Sequence, residues 1–201
     1  MKEKSLSEKE SLQLIAGMIS QAKNHYYESG LGALLWGFTN VICFALAWLD
    51  AAVESFKMPF NPLFLMIITF VLQFFFQRRE KKYKDVVTYK DEAHKYVWLA
   101  FGISVLIITI AGGFAGIGYI VLPLLLLLFG IPTFISGCIN KFLPFIIGGI
   151  TCWILCIIAF FYKSYNTYLL VALGATIAWI IPGFILRAKF YRNIAKPNNG
   201  L

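Results

Sequence analysis

The chain has 201 residues, of which 59% are apolar and only 14% charged, and it carries a formal net charge of +8. A water-soluble domain of this composition would expose large apolar patches, so an ordinary soluble fold is excluded and lipid is the fitting solvent. The positive charge does not read as a nucleic-acid footprint, because it sits in short segments flanking apolar runs.

Residues 1–30 form a charged leader. Ser7 and Glu10 make a capping box that starts a helix at Glu8. Leu12, Ile15, Met18, Ile19, Ala22 and Tyr26 then share one face. Four Lys balance four Glu in this leader. The amphipathic face can lie on the membrane or pack on the protein's own cytoplasmic side. Ser29-Gly30-Leu31-Gly32 breaks the helix before the first apolar run. No cleavable signal peptide is expected, since that run begins only at Leu31 and would serve as an uncleaved anchor.

Six runs approach the roughly 20 apolar residues that a membrane crossing needs. They cover residues 31–49, 59–76, 96–111, 120–138, 145–162 and 168–186. Pro62 is expected in the first turn of the second run, where its missing donor costs little. Thr88 and Asp91 form a second capping box, which extends the third helix backwards into the loop. Pro132 interrupts the fourth run, Pro144 opens the fifth, and Pro182 lies near the end of the sixth. Interior prolines predict bends at 132 and 182.

The polar interval 77–95 is the longest between runs and holds seven of the eighteen Lys and Arg. With the amino terminus in the cytoplasm, sixteen basic residues lie inside and only Lys57 and Lys163 outside. That asymmetry predicts both termini, the loop and the basic tail 187–201 on the cytoplasmic side. Trp48, Tyr119, Tyr162 and Tyr168 then fall at the outer ends, where aromatic belts form. The loop reads as a topology determinant touching anionic lipid, or as a docking site for a cytoplasmic partner. Its acids Glu80, Asp85, Asp91 and Glu92 leave it only +3, which weakens a purely phosphoinositide reading. The candidate partner or lipid surface is Ile15, Ile19 and Tyr26 with Arg78, Arg79, Lys81, Lys82 and Lys84.

Gly37-Phe38-Thr39, Gly102-Ile103-Ser104 and Gly149-Ile150-Thr151 recur in the odd spans, which suggests three successive two-helix hairpins. Gly148, Cys152 and Cys156 make a ridge of small side chains on the fifth span, and Gly112 and Gly116 a G-x-x-x-G on the third. Packing within the chain explains both better than dimerisation.

No Asp, Glu, Lys, Arg or His falls inside the six runs. Proton relays and intramembrane proteases need such groups, so neither is expected. Ser136-Gly137 resembles an intramembrane serine nucleophile motif, but no later span carries a His, and His25 and His94 belong to cytoplasmic segments. Cys43, Cys138, Cys152 and Cys156 lack metal-ligand spacing and read as small hydrophobes. No metal, cofactor or catalytic residue is therefore assigned. Thr39, Asn40, Gln73, Ser104 and Thr151 are the candidate intramembrane polar contacts, as hydrogen-bonding glue between helices or as a patch for a neutral solute.

Glu10-Ser-Leu-Gln-Leu-Ile15, Leu34-Leu-Trp-Gly37 and Ile147-Ile-Gly-Gly-Ile-Thr151 resemble a family of small six-span inner-membrane proteins of Bacteroidetes-type bacteria. The resemblance implies no activity, substrate or catalytic residue. Members can sit beside small winged-helix regulators, which implies at most a regulatory role. The expectation is an all-α polytopic inner-membrane protein, six transmembrane helices behind a cytoplasmic amphipathic helix. It would be non-enzymatic, an interaction or stress-regulatory component; the alternative is a small facilitator for a neutral or apolar solute. Its partners would be membrane lipids and a cytoplasmic protein, with self-association left open.

Overall fold

The computed structural model describes residues 30–60, 62, 64–81, 89–162 and 164–194, and every regular element among them is a helix. The helices are α1 (Leu31–Ala52), α2 (Phe64–Lys81), α3 (Tyr89–Phe114), α4 (Gly118–Asn140), α5 (Leu143–Phe161), α6 (Thr167–Ala175) and α7 (Ile181–Ile194). A π-helical turn, Thr176–Ile180, joins α6 to α7, so the two run on as one rod. The leader helix expected before Gly30 lies outside the described residues.

Five of these rods are long and apolar enough to cross a membrane: α1, α3, α4, α5 and the α6–α7 rod. The second apolar run is shorter in helical form, covering Phe64–Gln73. Its start is a correction to the sequence reading. Pro62 stands in a turn before α2, which is described from Phe64, instead of in its first turn. The Pro62 carbonyl still accepts Leu65 N–H at 3.1 Å and Cys43 Sγ–H at 3.3 Å, which ties the connection to α1. α3, by contrast, reaches back into the loop to Tyr89 as expected, while the capping residue Thr88 lies outside the described residues.

α1, α4, α5 and the α6–α7 rod form the core. α1 runs antiparallel to that rod along its whole length. Gly30 abuts Gly183, Gly37 abuts Trp179 and Ile180, Phe44 stacks on Tyr168, and Trp48 donates to Asn166 Oδ1 at 3.2 Å. A Cβ on Gly30 would stand 2.6 Å from the Gly183 carbonyl oxygen, and its φ of +69° is costly for other residues. α4 and α5 form a tight hairpin, turned at Lys141 in the left-handed conformation and closed by Phe142 N–H to Gly137 O at 2.8 Å. Gly148, Cys152 and Cys156 face the core from α5. The first two meet Ala178 and Gly174, so the small-residue ridge serves packing within the chain. Gly112 likewise meets Val121 of α4.

α2 and α3 are peripheral. Phe64, Ile67, Ile68, Phe70 and Phe75 of α2 are exposed, as are Leu99, Ile103, Leu106 and Ile107 of α3. In an apolar solvent such faces are ordinary. The three Gly-apolar-hydroxyl triplets occupy unlike surroundings: Gly37 and Gly149 are packed tightly, whereas Gly102 has open space beside it.

The prolines act differently from one another. α4 continues through both Pro123 and Pro132. Pro182 follows the π turn, in which Ile181 N–H reaches back to Thr176 O. A proline ring collides with the carbonyl one turn earlier, here Ala178, and the wider π turn relieves that clash.

Candidate functional site: polar contacts between the spans

Trp179 sits at the centre of the core with 2% of its surface exposed. Its indole packs against Phe129 at 4.6 Å between ring centroids, with Trp98 and Phe101 of α3 beyond. A buried indole N–H needs an acceptor. It finds Thr133 Oγ1 at 2.9 Å, and Thr133 passes its own hydrogen to the Phe129 carbonyl at 2.7 Å. Every polar atom in this chain of bonds therefore has a partner.

One turn further along α4, Ser136 makes a second node. Trp98 Nε1–H donates to Ser136 Oγ at 3.3 Å, and His94 Nδ1 lies 3.3 Å from the same oxygen. His94 and Trp98 are one turn apart on α3, which puts both rings on one face. The sequence reading sought a His in a later span and found none; His94, on the first turns of α3, nonetheless reaches Ser136. The His comes from the preceding helix, and the backward extension of α3 from Thr88 was the signal that carried it. A serine beside an imidazole is the first half of a nucleophile–base pair. Here the hydroxyl is 1% exposed and covered by the Trp98 indole, so its evident role is to fasten α3 to α4.

The five candidate polar contacts go to different places. Thr39 and Thr69 hydroxyls meet at 2.8 Å across α1 and α2. Thr69 gives its hydrogen to Leu65 O, so Thr39 is the donor of the pair. Gln73 lies on the same seam, its amide against Gly32, with Oε1 buried and lacking a hydrogen-bond partner. Asn40 turns back to the Trp36 carbonyl of its own helix at 2.8 Å. Thr151 does the same to Ile147 at 2.9 Å. Ser104 is half-buried on α3. Thr39 and Gln73 lie on the same α1–α2 seam but at separate contacts, and among the described residues no hydrogen bond joins any two of the five.

Of the candidate partner surface, Arg78, Arg79 and Lys81 fall on the last turns of the α2 backbone. Ile15, Ile19, Tyr26, Lys82 and Lys84 lie outside the described residues. Among the described residues no group of three His, Cys, Asp or Glu could hold a metal ion. No family model, curated protein or solved structure matches the chain.

Proposed function

We propose that this is a non-enzymatic, six-span inner-membrane protein that acts as an interaction or regulatory component, with both termini in the cytoplasm. The observation that carries the reading is how the polar side chains of the spans are used. Thr39 with Thr69, Thr133 with Trp179, and Ser136 with Trp98 each fasten one helix to another. Asn40 and Thr151 bond within their own helices. A facilitator for a neutral solute needs such groups along one passage; a scaffold needs them as fasteners.

The contact surface is the leader together with the basic segment 77–95. The unmet Gln73 Oε1 supports this placement. It lies against Gly32, two residues after the leader ends, where a donor from a docked segment would satisfy it. The apolar leader face cannot stay in water, since each large side chain buried gains roughly 1.5 to 3 kcal/mol. Its balanced charge favours docking on protein over anionic lipid.

Substituting Ile15 and Ile19 by Asp is expected to expose the leader to added protease while the spans stay inserted. Affinity capture from native membranes, with and without the two substitutions, then reads the partner. Unchanged cleavage and an unchanged set of captured proteins would remove the leader from the reading.

A further inference from the structure

α2 and α3 follow one another in the chain but do not pack together. α2 lies along α1 and α3 along α4, and among the described residues no Cα of α2 comes within 8 Å of one in α3. Packed helices stand about 8–10 Å apart, axis to axis, so these two are splayed. They nevertheless share a floor. Met66 of α2, Trp36 of α1, and Trp98, Phe101 and Val105 of α3 pack against the core cluster and stay partly exposed. Two ridges on one floor, without contact between them, leave a groove open to the bilayer.

Helical geometry names the walls. On α1, Gly37 faces the final rod and Thr39 faces α2, with Trp36 and Asn40 on the flank between. On α3, Gly112 faces α4 and Trp98 faces Trp179. The next flank round, turned towards α1 and α2, carries Lys95, Gly102 and Leu106, all exposed. Lys95 to Leu106 spans about 16 Å at ~1.5 Å per residue, about half of the ~30 Å hydrocarbon core. The groove therefore has the depth of one leaflet. Its mouth is basic: Lys95 is there, Arg78, Arg79 and Lys81 end α2, and the interval 77–95 is +3 with its acids counted. Residues 82–88 add positive charge and residues 1–28 are neutral overall, so this end of the molecule stays basic with both included.

We propose that this groove holds an acyl chain of an anionic phospholipid whose phosphate sits between Lys95 and the basic end of α2. Other occupants fit less well. Two copies in one membrane would bring like ends together, and the basic ends would repel. The leader carries eight charged side chains, which hydrocarbon excludes. The lipid site goes beyond the cytoplasmic contacts proposed above and stands or falls without them.

Photo-crosslinking tests it. The full chain would carry benzoylphenylalanine at position 102, where a Cβ meets nothing within 4 Å. It would be reconstituted in nanodiscs of phosphatidylglycerol and phosphatidylcholine in equal parts, with the same acyl chains, and the adducts identified by mass. The same probe at position 150, on the exposed face of α5, reads bulk lipid. The ratio of phosphatidylglycerol to phosphatidylcholine adducts at 102 is expected to exceed that at 150 by about fivefold, the gain from one basic residue at an anionic lipid surface. Lys95→Gln should remove that enrichment. Equal ratios at the two positions overturn the proposal, as does an enrichment that Lys95→Gln leaves intact. Adducts to residues 1–30 or to a second copy also overturn it, because they name another occupant. Should the position-102 protein fail to elute as the parent does, the probe at position 106 decides in its place.

Discussion

Trp179 couples three helices through one side chain. It belongs to the π turn, bonds to α4 through Thr133, and packs on Trp98 and Phe101 of α3. Removing the ring by Trp179→Ala should cost about 3 to 5 kcal/mol, as large core truncations do. The hydrogen bond is a smaller and separable part. A double-mutant cycle of Trp179→Phe with Thr133→Val, measured by unfolding in mixed micelles, is expected to give a coupling of about 0.6 kcal/mol and at most about 1.7. Zero coupling would mean that Thr133 serves only its own helix. The sequence showed Thr133 as a polar atom within a span. It could not show its partner 46 residues away, because helix-facing register depends on packing that no local pattern encodes. Ser136 and His94 were missed for a different reason, since a base was sought only in spans after Ser136 and His94 precedes it in the chain.

At the scale of the element, two kinds of glycine separate. A Cβ on Gly148 would stand 2.8 Å from the Ala178 Cα, a backbone atom with little freedom to move. Gly148→Ala should therefore push α5 from the π turn and cost about 1 to 3 kcal/mol. Gly102→Ala, with nothing within 4 Å, should leave stability unchanged or raise it slightly through better helix propensity. Equal losses in the two variants, measured by the same unfolding assay, would count against the packing described here. Element existence was legible from apolar run length, and so was the backward reach of α3 into the loop. The start of α2 was misplaced because Pro59 and Pro62 extend the apolar run without extending the helix. The π turn before Pro182 was not legible at all, because hydrophobicity does not register one added residue in a turn.

For the whole molecule, helix ends alternate between two faces. Gly30, Lys81, Tyr89, Lys141 and Ile194 mark one face, and Ala52, Phe64, Gly116 and Asn166 the other. The first face gathers Arg187, Lys189 and Arg192 with the basic end of α2, and Lys57 stands on the second. Positive-inside bias then predicts the first face in the cytoplasm. Reporter fusions after Leu201 and within residues 81–89 should both report cytoplasm. Periplasmic activity at either point would reverse the orientation.

The α1 contact with the final rod has a consequence in time. Trp48 and Asn166 are 118 residues apart, and the ring and glycine contacts of α1 with that rod are as remote. At roughly 5 to 20 residues per second, synthesis leaves α1 without its principal neighbour for about 6 to 24 s after it enters the membrane. During that interval the Gly37 face, Asn40 and the Trp48 indole must be tolerated by lipid, by α2 or by the insertion machinery. The first helix to arrive is thus among the last to be locked, and a chain stalled before Asn166 would hold an open bundle.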